Sequence, residues 1–367
     1  MIIGILFVST LLLAFVNGAN DNFKGVATLY GSGALSYRSA VALAGLSTTI
    51  GALSSVMLAS GLVKAFSAKG LVPDSLLGPA FLSAVALGAA LTVLAATRLG
   101  MPVSTTHALV GGLVGAGLVG AGSSLNVGSL GRLFVLPLLL SPLAAVPLAN
   151  LGYRAGRWGR ERLGIEESTC VCVGQEWIPI ANATSAVAGA AGPTLRVGAA
   201  AECARRYQGS VAGVAAHGIV TAAHAASASL VGFARGLNDT PKMVGLLAGA
   251  SVASTWNGTL AITGLMILGG LVASRRVALT MSMKITSMNA GQGFAGNVAT
   301  SLLVAGASHL GLPVSTTHVS TGSIFGVGAA RGGLRWGTVG AILTAWVTTL
   351  PLAALLSASA FWALRSL

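Results

Sequence analysis

At 367 residues, with 54% hydrophobic and only 8% charged residues and a mean hydropathy of +0.83, the chain has too little polar surface to cover a water-soluble globule. The net charge of +13 is dispersed in short connectors, Arg154, Arg157, Arg160 and Arg162 among them. That dispersal fits a positive-inside bias and argues against a nucleic-acid partner, so the expectation is an all-α, multi-pass integral protein of the cell membrane.

The first apolar stretch, Met1 to Val16, lacks a basic start and a small-residue cleavage pattern, and reads as a retained helix rather than a signal peptide. Gly18-Ala19-Asn20-Asp21 follows, with Lys24 three residues beyond the acid. Further apolar stretches run from Ala40 to Val63 and from Leu76 to Ala96, with Asp74 in a Pro-Asp-Ser loop between them. The hexapeptide Pro102-Val103-Ser104-Thr105-Thr106-His107 comes next, then apolar runs from Ala108 to Val119 and from Leu133 to Leu151. The pattern of apolar runs through Val339 to Leu364 predicts roughly ten to twelve membrane segments, several of them short or interrupted by glycine.

Residues 152–208 form a polar connector that divides the chain into an N-terminal membrane repeat, 1–151, and a C-terminal one, 209–367. Five of the eight acids lie in the connector: Glu161, Glu166, Glu167, Glu176 and Glu202. Its arginines place it on the cytoplasmic side. Ser168 to Ile180 is rich in Val and Ile and predicts a small strand pair, and the low-complexity Ala181 to Gly192 predicts a loop. Cys170, Cys172 and Cys203 make only a lone C-x-C pattern, which carries no metal or redox assignment.

Beyond the connector the first half is echoed. Gly236-Leu237-Asn238-Asp239 with Lys242 repeats the first acidic element, and Pro313-Val314-Ser315-Thr316-Thr317-His318 repeats the hexapeptide. Asn20 to Ser104 spans 84 positions and Asn238 to Ser315 spans 77, so the halves run in the same order. Repeats of this kind commonly lie with inverted topology and enclose a substrate site near the midplane, lined by discontinuous helices.

Three acids lie outside the connector, and only Asp21 and Asp239 fall within membrane-like runs. A carboxylate at that depth costs at least about 3 kcal/mol, so each should face a cavity or a partner. Each Asp can pair with the Lys three positions on, which shares its helix face. The glycine ahead of each Asn-Asp, and Pro241 after the second, predict a helix broken there, with free amides suited to an anion and carbonyls suited to a small cation. Ser104, Thr105 and Thr106, and their counterparts Ser315, Thr316 and Thr317, can cap helix starts, donate to an oxyanion or coordinate sodium. His107 and His318 are expected behind them, as proton carriers or packing groups. A Ser-His-Asp hydrolase needs one asymmetric ordered triad, whereas these residues are doubled.

These elements resemble the PiT inorganic phosphate transporters, through the twin Gly-x-Asn-Asp and twin Gly-x-Pro-Val-Ser-Thr-Thr-His motifs and through Gly291-Gln292-Gly293-Phe294-Ala295-Gly296-Asn297. The resemblance covers roughly 300 residues in both halves. It implies inverted-topology helical repeats with re-entrant hairpins, a homodimer, and secondary active transport of phosphate coupled to sodium or protons, with sulfate carriers among the relatives. The implied ligands are Asn20, Asp21, Ser104, Thr105, Thr106, Asn238, Asp239, Ser315, Thr316 and Thr317, and Lys24 and Lys242 join them as candidate substrate-binding residues on their own charge. The implied sodium positions are Asn20, Asp21, Ser104, Asn238, Asp239 and Ser315, and no other cofactor is implied. Lys24 and Lys242 depart from the family pattern, which usually places another Asn there; an ammonium at that point either takes the electrostatic role of sodium or faces the anion.

The carboxylates favour phosphate, which keeps a P–OH donor that sulfate lacks, while the lysines favour a dianion. Alternating access around the two Ser-Thr-Thr tips is the expected mechanism. A sulfate permease, or a passive anion channel lined by the lysines, is the alternative.

Overall fold

The computed structural model describes residues 1–166, 168–179, 188–199, 201–202, 214–284, 288–332, 334 and 336–366. Its helices, in chain order, are α1 (Ile2–Asp21), α2 (Ala27–Gly31), α3 (Tyr37–Leu58), α4 (Ser60–Phe66), α5 (Pro79–Arg98), α6 (Thr105–Ala121), α7 (Val127–Leu130) and α8 (Leu136–Arg162). After the polar segment come α9 (Ala216–Gly249), α10 (Thr255–Ala273), α11 (Arg275–Leu279), α12 (Ala290–His309), α13 (Thr316–Arg331) and α14 (Trp336–Leu364). Seven helical segments among the described residues are long and apolar enough to cross a bilayer, fewer than the ten to twelve the apolar runs suggest. The difference lies in the second half, where α9, α12 and α13 are not among the seven and α13 has only 16 residues.

Local chemistry sets the helix ends. Ser36 and Ser254 accept from Ser39 and Asn257 backbone amides at 3.2 Å, opening α3 and α10. Asn289 and Gln292 form a reciprocal capping box at the start of α12. Gly100 and Gly311, 211 positions apart, turn the chain at φ +69° and +70°, where an L side chain would be strained. Each begins the tip of a helical hairpin, α5 to α6 in the first half and α12 to α13 in the second.

Residues 1–153 and 225–367 form one compact unit. Within it the halves interlock reciprocally. Gly18 on α1 lies against the Met266 backbone of α10, and Gly236 on α9 lies against the Thr48 backbone of α3. Both pairs obey one offset: 236 − 18 = 218, and 266 − 48 = 218. A Cβ at Gly18 would fall 2.6 Å from the Met266 carbonyl carbon, and one at Gly236 would fall 2.7 Å from the Ala52 amide nitrogen. The last long helix of each half packs on the other half's hairpin. Gly111 of α6 meets Leu350 of α14, and Gly322 of α13 meets Pro142 of α8 at 3.1 Å. Small residues here let backbones approach closely, as helices in lipid require.

This packing corrects the expected helix breaks. In the first half α1 ends at Asp21 and a turn leads to α2, so the chain does depart from helix, but after the acid rather than at Gly18. In the second half α9 runs unbroken from Ala216 to Gly249 with Pro241 inside it. The two glycines serve close approach rather than unwinding, and no free amides arise at Asn238-Asp239.

Residues 154–224 form the second unit. It carries a three-stranded antiparallel sheet in the order β2-β1-β3, with β1 Thr169–Pro179, β2 Ala188–Ala199 and β3 Val214–Ala215. The described chain is therefore helical throughout the membrane unit but not from end to end. Ser168 to Ile180 supplies one strand rather than a pair, because its partners come from later in the chain, Thr169 opposite Ala199 and Val171 opposite Val214. Of the loop expected over Ala181 to Gly192, 181–187 lie outside the described residues and 188–192 are strand. Cys172 is disulfide-bonded, which the C-x-C pattern did not suggest, and Cys170 is free and buried.

Candidate functional site

Arg235, Asp239 and Lys242 lie four and three positions apart on α9, which places them on one helix face. The end of α1 and the turn after it bring Asn17, Asp21 and Lys24 to meet them. All four ionisable groups predicted from the sequence come together, and all are buried: Asp21 is 1% exposed, Lys24 2%, Asp239 3% and Lys242 1%.

Each lysine is held by three oxygens. Lys242 Nζ donates to Asp239 Oδ1 at 3.1 Å, to the Val314 carbonyl at 2.8 Å and to Thr106 Oγ1 at 2.6 Å. Lys24 Nζ donates to Asp21 Oδ1, to the Val103 carbonyl at 2.9 Å and to Thr317 Oγ1. The carboxylate and the carbonyl come from the lysine's own half, and the hydroxyl comes from the other half. The hairpin tips also cross directly, Thr106 Oγ1 donating to the Val314 carbonyl at 3.1 Å and Thr317 Oγ1 to the Val103 carbonyl at 2.7 Å. Pairing of each Asp with the Lys three residues on is thus real, yet it is one side of a bridge between repeats.

The asparagines of the twin motifs fasten the hairpins. Asn20 donates to Thr97 Oγ1 and to the Met101 carbonyl at 3.0 Å, and accepts from the Val103 amide at 3.1 Å. Asn238 donates to the Val314 carbonyl at 3.1 Å and accepts from Ser308 at 3.1 Å. Thr97 and Ser308 are 211 positions apart, the offset of the hexapeptides.

Ser104 and Ser315 are N-caps. They accept from the His107 and His318 amides at 3.1 and 3.2 Å, and His107 Nδ1 also lies 3.0 Å from Ser104 Oγ. The caps take up the His107 and His318 amides, and the Thr105, Thr106, Thr316 and Thr317 amides ahead of them are the helix-start donors, a role the sequence had suggested for Asn-Asp. Thr105 donates to Asp21 Oδ2 at 3.3 Å, and Thr316 is buried. His107 and His318 lie behind the tips with ring centroids 4.2 Å apart, and the His318 ring lies against Trp346, tilted by 30° with centroids 3.7 Å apart. The Gln292 and Asn297 stretch opens α12, where Asn297 donates to Thr28 Oγ1 at 3.2 Å.

Two residues escaped the sequence reading. Among the described residues Arg235 is the largest fully buried side chain. Its Nη2 donates to Asn17 Oδ1 at 2.7 Å, its Nη1 to Asn22 Oδ1 at 3.0 Å and Thr48 Oγ1 at 3.2 Å, and its Nε lies 3.7 Å from Asp239 Oδ2. Asn17 donates to Thr105 Oγ1 at 2.9 Å and Asp21 Oδ2 at 3.2 Å, and reaches Asp239 Oδ2 at 3.5 Å, so one amide links both carboxylates. The signal was present: 235 − 17 = 218, the offset of Asp21 and Asp239, so laying the halves over each other sets Arg against Asn.

The candidate sodium ligands are otherwise engaged. The Asn20 and Asn238 amide oxygens accept from the hairpins, Ser104 and Ser315 cap helices, and the carboxylates hold lysines. Among the described residues no cluster of three or more His, Cys, Asp or Glu is arranged to hold a metal ion.

A sequence profile described as the Phosphate transporter family matches residues 17–357. The chain is 29% identical over 375 residues to a probable low-affinity inorganic phosphate transporter of Rhizobium meliloti, covering 99% of this chain and 96% of the relative. It is 29% identical over 367 residues to a protein of Mycobacterium tuberculosis with the same description, covering 96% and 75%. A solved structure titled the sodium-dependent phosphate transporter shares the fold, with TM-score 0.77 and 22% identity, over 100% of this chain and 99% of that one.

Proposed function

This chain belongs to the phosphate transporter family, a family of membrane transporters rather than enzymes, and from that premise we propose that it carries inorganic phosphate by alternating access around the Asp21/Lys24 and Asp239/Lys242 centre. The observation that carries the reading is the reciprocal bridge: Lys24 to Thr317 and Lys242 to Thr106 close the two hairpin tips over one buried centre. A bridge between halves that is made of the ligand groups themselves is broken when a ligand takes its place.

In this mechanism an oxyanion takes over the ammonium donors now held by Thr106 and Thr317, and the freed hydroxyls and the first-turn amides of α6 and α13 turn to the same anion. One carboxylate, Asp21 or Asp239, then accepts from a phosphate P–OH, a donor that sulfate lacks, and this is the basis for choosing phosphate. Binding separates the tips on one side, and reclosure around the anion precedes opening on the other, with the α5/α6 and α12/α13 hairpins of the two inverted halves moving about the interlocked α1/α10 and α9/α3 contacts. A proton on Asp21 or Asp239 would travel with the anion and supply coupling.

Purified protein in proteoliposomes, with labelled phosphate outside and an imposed pH gradient, tests this. The reading expects saturable accumulation against the phosphate gradient, with sulfate a weak competitor. Sulfate accumulation with phosphate excluded would transfer the proposal to a sulfate permease. Unsaturable flux with unitary currents would support the channel alternative instead.

A further inference from the structure

Each lysine ammonium has three N–H donors, and each finds three oxygen acceptors: one carboxylate, one main-chain carbonyl and one threonine hydroxyl. Hard oxygens of these three kinds are what a small alkali cation would take. The two clusters are equivalent, Asp21 with Val103 and Thr317 in one, Asp239 with Val314 and Thr106 in the other. A sodium ion could enter either cluster only by displacing an ammonium that is tethered beside it.

The charge of the centre points the same way. Among the described residues the buried Asp, Glu, Lys and Arg side chains are Asp21, Asp239, Lys24, Lys242 and Arg235. Two negative and three positive groups, taken as ionised, leave a formal excess of +1 before any anion arrives. Arg235 stands 3.7 Å from Asp239 and donates to Asn17, Asn22 and Thr48, so it adds positive charge without consuming either lysine's acceptors. A further cation would enter a centre already positive, in surroundings that screen charge poorly.

We propose that the Lys24 and Lys242 ammonium groups are fixed cations occupying the two oxygen clusters, so that phosphate movement by this chain needs no sodium ion. The inference rests on the phosphate-transport reading above. It sets this chain apart from the sodium-dependent phosphate transporter whose fold it shares.

The test compares initial labelled-phosphate uptake into proteoliposomes in sodium and in choline medium at equal ionic strength and pH. The expected result is rates equal within about twofold, with no labelled sodium entering alongside phosphate. A rate lower by about tenfold or more in choline, or sodium entering with phosphate, overturns the inference while leaving the phosphate reading intact. Absence of uptake in both media overturns the phosphate reading and this inference with it.

A second arm reads the clusters without transport. In the Lys24→Asn/Lys242→Asn variant the carboxylates lose their tethered partners, so sodium chloride, but not choline chloride, should raise its Tm by several degrees while leaving the wild-type Tm unmoved. Equal responses of the two proteins to the two salts would contradict the assignment of the lysines to cation positions.

Discussion

The Lys242 ammonium donates to the Thr106 hydroxyl at 2.6 Å across 136 positions of sequence, and the related Lys24 makes the equivalent bond to Thr317. Thr106→Val keeps the shape and removes the acceptor. It should destabilise the protein by about 1–3 kcal/mol, the cost of an unmet donor on a buried charge. Uptake should fall about tenfold, because in the proposed mechanism that hydroxyl also turns to the anion. Thermal unfolding in detergent and initial uptake rates check both. Thr317→Val should match it, and equal uptake in either variant and wild type would contradict the bridge's role.

The ion pairs can be separated from their structural part by a compensated variant. Asp21→Asn alone leaves Lys24 buried beside a neutral partner and should cost about 3–5 kcal/mol, with transport lost. Asp21→Asn combined with Lys24→Met removes both charges and should recover most of that stability. Uptake should stay lost if the pair serves transport, and should return if the pair serves folding alone.

Gly18 and Gly236 occupy related close approaches, against Met266 and Thr48. Gly18→Ala and Gly236→Ala each place a methyl group within backbone, where nothing flexible can yield, so both should lose about 2 kcal/mol or more and yield little monodisperse protein. Gly4 has nothing within 4 Å of its added Cβ, and Gly4→Ala is the control expected to behave as wild type. Size-exclusion profiles of the three variants provide the check.

The duplication, the membrane class and most of the polar centre are legible in the sequence, because both Asn-Asp-x-x-Lys and Ser-Thr-Thr-His recur and charged groups in apolar runs demand partners. The crossing of partners is not legible. Nothing in the spacing of Asp21 and Lys24 tells that the ammonium also reaches Thr317, since that depends on how the hairpins meet. The helix break expected at Gly236 fails for a related reason: glycine permits both bending and close approach, and only the neighbouring Thr48 backbone decides between them. Arg235 went unread because it lies three positions ahead of the Asn-Asp motif and its counterpart Asn17 is of another type.

Arg235 offers a direct test of the centre's excess positive charge. Arg235→Gln removes that excess while keeping an amide for Asn17 and Asn22, and should raise the KM for phosphate about tenfold with a smaller change in maximal rate. Arg235→Lys keeps the charge but loses the fork that holds Asn17, Asn22 and Thr48 together, and should fall between the two. An unchanged KM in Arg235→Gln would show that the guanidinium holds the helices and does not act on the anion.

Counterflow tests the central claim most directly. Proteoliposomes preloaded with unlabelled phosphate are diluted into a trace of labelled phosphate, and internal label is followed with time. A carrier that alternates around the closed Lys24/Thr317 and Lys242/Thr106 bridges predicts a transient overshoot of label above its equilibrium level, abolished in Asp21→Asn. Monotonic equilibration without overshoot, or an overshoot that survives Asp21→Asn at full size, would contradict it.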